Sequence, residues 1–169
     1  MQKIGVFAIN YMSKSTIISL LILVFAAGIV LMRYGIPGIT KPSVALAGQE
    51  IEIHKTPTCG CCGNYVGYAE RFGLNTQVKN HDDLSPIKDQ FGIPLELQSC
   101  HTSVIDGYVV EGHIPLEVVE KLLTEKPDIK GIAMPGMPAG SPGMPGIKTG
   151  PFEIHELHHD GSTSIYLSM

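Results

Sequence analysis

Residues 50 to 73, EIEIHKTPTCGCCGNYVGYAERFG, change period in the middle, and that change decides the fold. From Glu50 to Lys55 apolar and polar side chains alternate, with Ile51 and Ile53 on one face, which is the pattern of a short strand. From Asn64 the spacing is helical: Tyr65, Tyr68, Ala69 and Phe72 share one side, and Gly73 is placed to end the helix in the left-handed region. Between strand and helix lies Thr56-Pro57-Thr58-Cys59-Gly60-Cys61-Cys62-Gly63, in which three cysteines crowd onto one turn of backbone.

Working outward, a second strand is expected near Asn75 to Lys79. Ser85-Pro86 then reads as an N-cap with proline at the first helical position, opening a short helix through Ile87 and Phe91 that Gly92 stops. Val104-Ile105-Asp106-Gly107-Tyr108-Val109-Val110 fits a two-residue hairpin turn between strands. Pro115 to Thr124, PLEVVEKLLT, is an amphipathic helix, and a final hairpin is expected from Phe152 to Leu167 about Asp160-Gly161. The order of strand, cysteine loop, helix, strand, helix, hairpin and helix is that of an α/β, thioredoxin-like domain with a small mixed sheet.

In such a sheet the first hairpin strand starts beside the cysteine loop and runs away from it. Cys100, six places before the Asp106 turn, is therefore expected next to that loop, and His113, beyond the second strand, returns to the same edge. From 133 to 150 glycine and proline recur too often for a helix or sheet interior, so this Pro/Gly/Met-rich stretch reads as an extended belt.

The amino-terminal part has different chemistry. The first 49 residues carry no acidic side chain, and an apolar run extends from Ile17 to Met32 before Arg33, which predicts an export signal or a membrane anchor over residues 1–47. Ala45-Leu46-Ala47 offers a cleavage site, and cleavage after Ala47 is favoured over retention as an anchor through residues 17–32. Either route sends residues 48–169 to the periplasm as one domain with a real core. All 16 acidic residues lie in that part, whereas four of the 12 basic ones, Lys3, Lys14, Arg33 and Lys41, precede it. This acidic balance argues against a nucleic-acid partner and suits a protein that meets cations.

The cysteines carry the chemistry. Four in an exported chain ordinarily imply two bridges, but neighbours such as Cys61 and Cys62 cannot pair without strain. Only Cys59 with Cys62, or one of the trio with Cys100, is comfortable, so metal binding is preferred to purely structural disulfides. Thiolates at a helix N-terminus are favoured by the unpaired backbone N–H groups, and closely spaced thiolates can bridge several Cu(I) ions. Three of them with one histidine would make a zinc site, yet the usual paired knuckles are absent and copper is preferred.

Met134, Met137 and Met144 could add soft thioether ligands or could simply plug the belt onto the domain. His113 precedes a helix in a position to reach the cluster. His101 adjoins Cys100, although neighbouring residues of a regular strand face opposite ways. His54 reads as structural, and His155, His158 and His159 as exposed hairpin residues with surface metal capture as the alternative.

The runs HKTPTCGCCGNYVGYAERFG, GIPLELQSCHTSVIDGYVVEGHIP and GIAMPGMPAGSPGMPG together resemble the CopG-type family of predicted metal-binding proteins found with bacterial copper-resistance systems. The resemblance extends over residues 50 to 168 with three motifs in order. It implies a thioredoxin-like fold, a periplasmic location and copper binding through Cys59, Cys61, Cys62 and Cys100, assisted by His101 and His113. The chain departs from the pattern at Tyr65, where tryptophan is common, and in its histidine-bearing tail.

The expected function is a periplasmic copper-binding protein that sequesters, transfers or redox-handles Cu(I), with copper ions and other periplasmic copper-handling proteins as partners. The membrane enters only through a possible anchor. The rival is a thiol-disulfide oxidoreductase using Cys59 and Cys62, which form a Cys-x-x-Cys at a helix N-terminus. A zinc-stabilised interaction module is a third class.

Overall fold

The computed structural model describes residues 18–26 and 45–169. Residues 18–26 are helical, and among the described residues no helix is long and apolar enough to cross a membrane. The rest of the apolar run 17–32 lies outside the described residues.

Residues 45–169 build one mixed sheet of seven strands in the order β2-β1-β3-β4-β5-β6-β7. Strand β1 (Glu50–Lys55) leads through the cysteine loop into helix α1 (Gly60–Arg71) and then β2 (Asn75–Asn80), which lies parallel to β1. After α2 (Ser85–Gln90), the hairpin of β3 (His101–Ile105) and β4 (Tyr108–Glu111) turns at Asp106-Gly107, with β3 antiparallel to β1. Helix α3 (Leu116–Glu125), β5 (Gly131–Ala133), β6 (Glu153–Leu157) and β7 (Thr163–Ser168) complete the body.

The elements expected from the sequence are all present, with local corrections. Helix α1 begins at Gly60, ahead of the helical spacing from Asn64, because the Cys59 sulfur takes the cap position and accepts the Cys62 N–H. At α2 the capping side chain is not Ser85; the Asp83 carboxylate accepts the Ser85 N–H at 2.9 Å.

The sheet is larger than the small one expected. Strand β5 went unpredicted because Gly-Ile-Ala is too short to show alternation. It pairs parallel with β4 and antiparallel with β6, so the carboxy-terminal hairpin extends the main sheet. Gly131 permits this closeness: a Cβ there would stand 2.0 Å from the Val109 carbonyl oxygen.

The core lies between the sheet and the pair α1 and α3. Ile51, Ile53, Val110, Ile132 and Ile154 from the strands meet Tyr65 and Ala69 of α1 and Val119 and Leu122 of α3. Each fully buried aliphatic side chain contributes about 1.5–3 kcal/mol. Leu46, from the triplet read as a cleavage site, is fully buried in the same core, so cleavage after Ala47 would remove a core side chain. A smaller cluster of Ile93, Leu97, Val109, Ala133 and Leu157 forms separately, with Phe91 packed against it.

Candidate metal centre

The pairing of β1 with β3 sets Lys55 opposite His101, which brings the residue before β3, Cys100, to the end of β1 where the cysteine loop begins. The convergence expected from counting back from the Asp106 turn is therefore present. The Cys62 and Cys100 Sγ atoms are 3.5 Å apart, Cys59 and Cys61 Sγ are 3.4 Å apart, and all four sulfurs lie within 4.8 Å of one another.

Cys59 and Cys62 are joined in a disulfide, while Cys61 and Cys100 are free. This departs from the expected cluster of four thiolates. The cap position and the third helical residue bring the two Cα atoms to 5.3 Å, within disulfide reach, whereas the other cysteine of the turn is left over.

His113 is set by the belt. Its Nδ1 lies 2.7 Å from the Pro142 carbonyl, which can only accept, so Nδ1 carries the proton. The Nε2 lone pair then faces Cys100 Sγ at 2.8 Å. A histidine that donates one ring N–H to a carbonyl while aiming the other nitrogen at a sulfur has the outer-shell arrangement of metal-ligating imidazoles.

His101 approaches the same sulfur, with Nδ1 3.5 Å from Cys100 Sγ. The expectation that Cys100 and His101 diverge assumed a regular strand at both; β3 starts only at His101, so Cys100 escapes the alternation. The His101 ring packs against Tyr65, with centroids 4.6 Å apart, and stands edge-on to His113 at 4.8 Å. Its Nε2 is buried without a hydrogen-bond partner, a cost of about 1–3 kcal/mol that points to a residue kept for more than stability.

Tyr65 forms the wall of the site and donates its hydroxyl to the Ile114 carbonyl at 2.8 Å, next to His113. The belt closes over the first turn of α1: Asn64 donates to the Gly143 carbonyl at 3.2 Å. Only glycine fits at 143, because its φ is +84° and a Cβ would stand 2.8 Å from the Cys61 carbonyl oxygen.

Burial governs the electrostatics. It pushes the Cys100 thiol up to about 12, with neighbouring Cys61 adding to the shift, so the favourable end of α1 does not decide the state of this sulfur. Burial lowers His101 well below the ordinary range, with His113, Lys88 and Lys55 reinforcing it. His113 is also lowered by burial, partly opposed by its bond to Pro142. Both imidazoles are held neutral, the form that can ligate a cation.

Sequence reasoning missed the brace behind Cys100. The fully buried Glu111 accepts the Ser99 N–H and the Thr102 hydroxyl, each at 2.6 Å, and pairs with the buried Lys88 of α2. Burial raises the Glu111 carboxyl, opposed by Lys88, Thr102 and Ser99. This network ties the residue before Cys100 to the end of β4, two residues from His113. The only sequence signal is an acidic residue beside Gly112-His113, which does not reveal its burial.

The remaining candidates fall elsewhere. Met134 is fully buried in the hydrophobic core, Met137 is about half exposed, and Met144 is half-buried next to Gly143. In the carboxy-terminal hairpin, His158 contacts Glu156 and Ser164 and the exposed His159 faces Asp128. Among the described residues, His155, His158 and His159 join no metal-competent group. His54 is buried and lies against Glu52 and His81.

Two solved structures, described as copper resistance protein CopG in forms 1 and 2, are similar to this chain. Each is 36% identical, covers 72% of this chain and 98% of its own, and superposes with a TM-score of 0.67. The chain belongs to the CopG family. A family model described as "Protein of unknown function, DUF411" matches residues 97–144, the segment that carries Cys100, His101, His113 and the belt as far as Met144. No curated protein matches the chain. Among the described residues, the groups of three or more donors that could hold a metal ion are Cys59, Cys61, Cys62 and Cys100, and Cys100 with His101 and His113.

Proposed function

We propose that this chain binds copper as Cu(I) in the periplasm and contributes to copper tolerance by sequestering the ion, passing it on or handling its redox state. The observation that carries the reading is the meeting at Cys100 of Cys62 Sγ, 3.5 Å away, and the His113 Nε2 lone pair, 2.8 Å away. Clustered sulfur with neutral imidazole is a soft donor set that suits Cu(I) above harder ions. Cys59, Cys61, Cys62 and Cys100 would supply the thiolates and His113 and His101 the nitrogens, and closely spaced thiolates can bridge more than one ion. Zinc is the weaker fit.

The order of β2, β1, β3 and β4, with parallel β1 and β2 and the cysteine helix opening beyond β1, supports reading the first part of the domain as thioredoxin-like. Binding by all four sulfurs requires the Cys59–Cys62 bond to accept two electrons and two protons from a dithiol reductant, giving two thiols. Each thiol then exchanges its proton for the metal.

The disulfide also favours a second reading, a thiol-disulfide oxidoreductase with Cys59 and Cys62 as its reacting pair. Cys61 and Cys100, both within reach of the pair, count against it because either could trap a mixed disulfide. Titrating the reduced full chain against a calibrated Cu(I) chelator tests the proposal. Tight binding of more than one Cu(I) per chain is expected; a single tight zinc with weak copper binding would replace copper by a structural zinc site.

A further inference from the structure

A second pair of imidazoles, remote in role from the cysteines, is formed by His54 of β1 and His81 just beyond β2. His54 and Glu52 lie on the face of β1 opposite to Ile51 and Ile53, which enter the core beneath α1. Phe91, which caps the end of α2, meets His54 edge-on at a centroid distance of 6.2 Å. His81 follows the end of β2, held there by its N–H bond to the Lys55 carbonyl at 3.0 Å. The result is that His54 Nδ1 and His81 Nε2 face each other at 3.0 Å.

That separation has two chemical uses. One is a hydrogen bond with the proton on one nitrogen. The other is chelation: two nitrogens at about 2.0 Å from a tetrahedral ion stand about 3.3 Å apart, close to the spacing already present. Glu52 favours the second. Its Oε1 lies 2.8 Å from His54 Nε2 without hydrogen-bond geometry, and its negative charge favours a proton over a lone pair on that nitrogen. The lone pair of His54 is therefore left on Nδ1, the atom that faces His81. A carboxylate behind one imidazole nitrogen with the other nitrogen aimed at a donor partner is the support found behind metal-bound histidines.

His54 is buried, so its orientation is fixed by packing, whereas His81 is half-buried and borders solvent, leaving coordination positions for water. When His81 shifts its proton from Nε2 to Nδ1, both facing nitrogens present lone pairs and neither ring needs to change charge.

We infer that His54 Nδ1 and His81 Nε2, backed by Glu52, form a second metal site that takes a borderline divalent ion such as Zn(II) or Cu(II). Nitrogen donors select this class, in contrast to the sulfur cluster that suits Cu(I). The inference stands whether or not the cysteines hold copper.

Zn(II) is the probe, since Cu(II) would also oxidise free thiols. In ring proton–nitrogen correlation spectra of the metal-free full chain, Zn(II) should move His54 Nδ1 and His81 Nε2 together and saturably. Zinc at the cysteines would instead move His113 and His101. The His81→Gln variant should lose the His54 response, and Glu52→Gln should weaken it roughly 10–100-fold. His81 rather than the buried His54 is chosen because its replacement spares the packed ring. Unshifted His54 and His81 nitrogens at millimolar Zn(II), or a His54 response of undiminished affinity in His81→Gln, would overturn the site.

Discussion

Two histidine-bearing regions of this chain differ in what they can do. At the edge formed by β1, β3 and the start of α1, His101 and His113 converge on Cys100, are fully buried, and are held neutral by burial. In the β6–β7 hairpin, His155, His158 and His159 sit close in sequence, yet His158 pairs with Glu156 and Ser164 while the exposed His159 faces Asp128. Proximity along the chain offered metal capture at the hairpin only as the alternative to exposed hairpin residues; topology brings the other set of donors together. The lesson is that donors become a site when separate elements aim them at one point and exclude water there.

The largest expected effect breaks the convergent region. Cys62→Ser and Cys100→Ser should each lower Cu(I) affinity or stoichiometry by more than the roughly 10–100-fold that a change behind a ligand costs. An unchanged copper content in Cys100→Ser, by competition titration, would reduce Cys100 to a small half-buried residue. Cys61→Ser separates the two readings: a copper site loses a ligand, whereas an oxidoreductase loses only a competing sulfur and keeps or improves disulfide exchange. Defective copper binding in Cys61→Ser with poor insulin reduction by the native chain is the expected pair of results.

Next in size is the brace. Glu111→Gln leaves the buried Lys88 without its counter-charge and should cost about 3–5 kcal/mol in urea unfolding. Tyr65→Phe removes the bond to the Ile114 carbonyl and should cost about 1–3 kcal/mol, the penalty for a buried acceptor left alone. The smallest effect sharpens the comparison from the other side. Replacing His155, His158 and His159 together by Ala should leave Cu(I) stoichiometry and affinity unchanged.

Much of this was legible in the sequence because local signals agree with the global fold. The alternation at Ile51 and Ile53, the Asp106-Gly107 turn and Pro115 before α3 each marked an element that formed. Counting back from the turn then placed Cys100, since strand register is an arithmetic constraint. Strand β5 was not legible: three residues hold no period, and its place depends on Gly131 tolerating the Val109 backbone. The Lys88–Glu111 pair was hidden because charged side chains are ordinarily read as exposed. The common approach of Cys100 and His101 was hidden by where β3 begins, a boundary that periodicity alone does not resolve.

The central claim is that the two cysteine groups act as one soft-metal site when reduced. The most direct test is X-ray absorption of the full chain loaded with Cu(I) after reduction, native and Cys100→Ser side by side. Copper in a sulfur-dominated shell is expected in the native chain, with copper content falling when Cys100 is replaced. Copper bound by nitrogen and oxygen alone, or a native-like sulfur shell and copper content in Cys100→Ser, would contradict it.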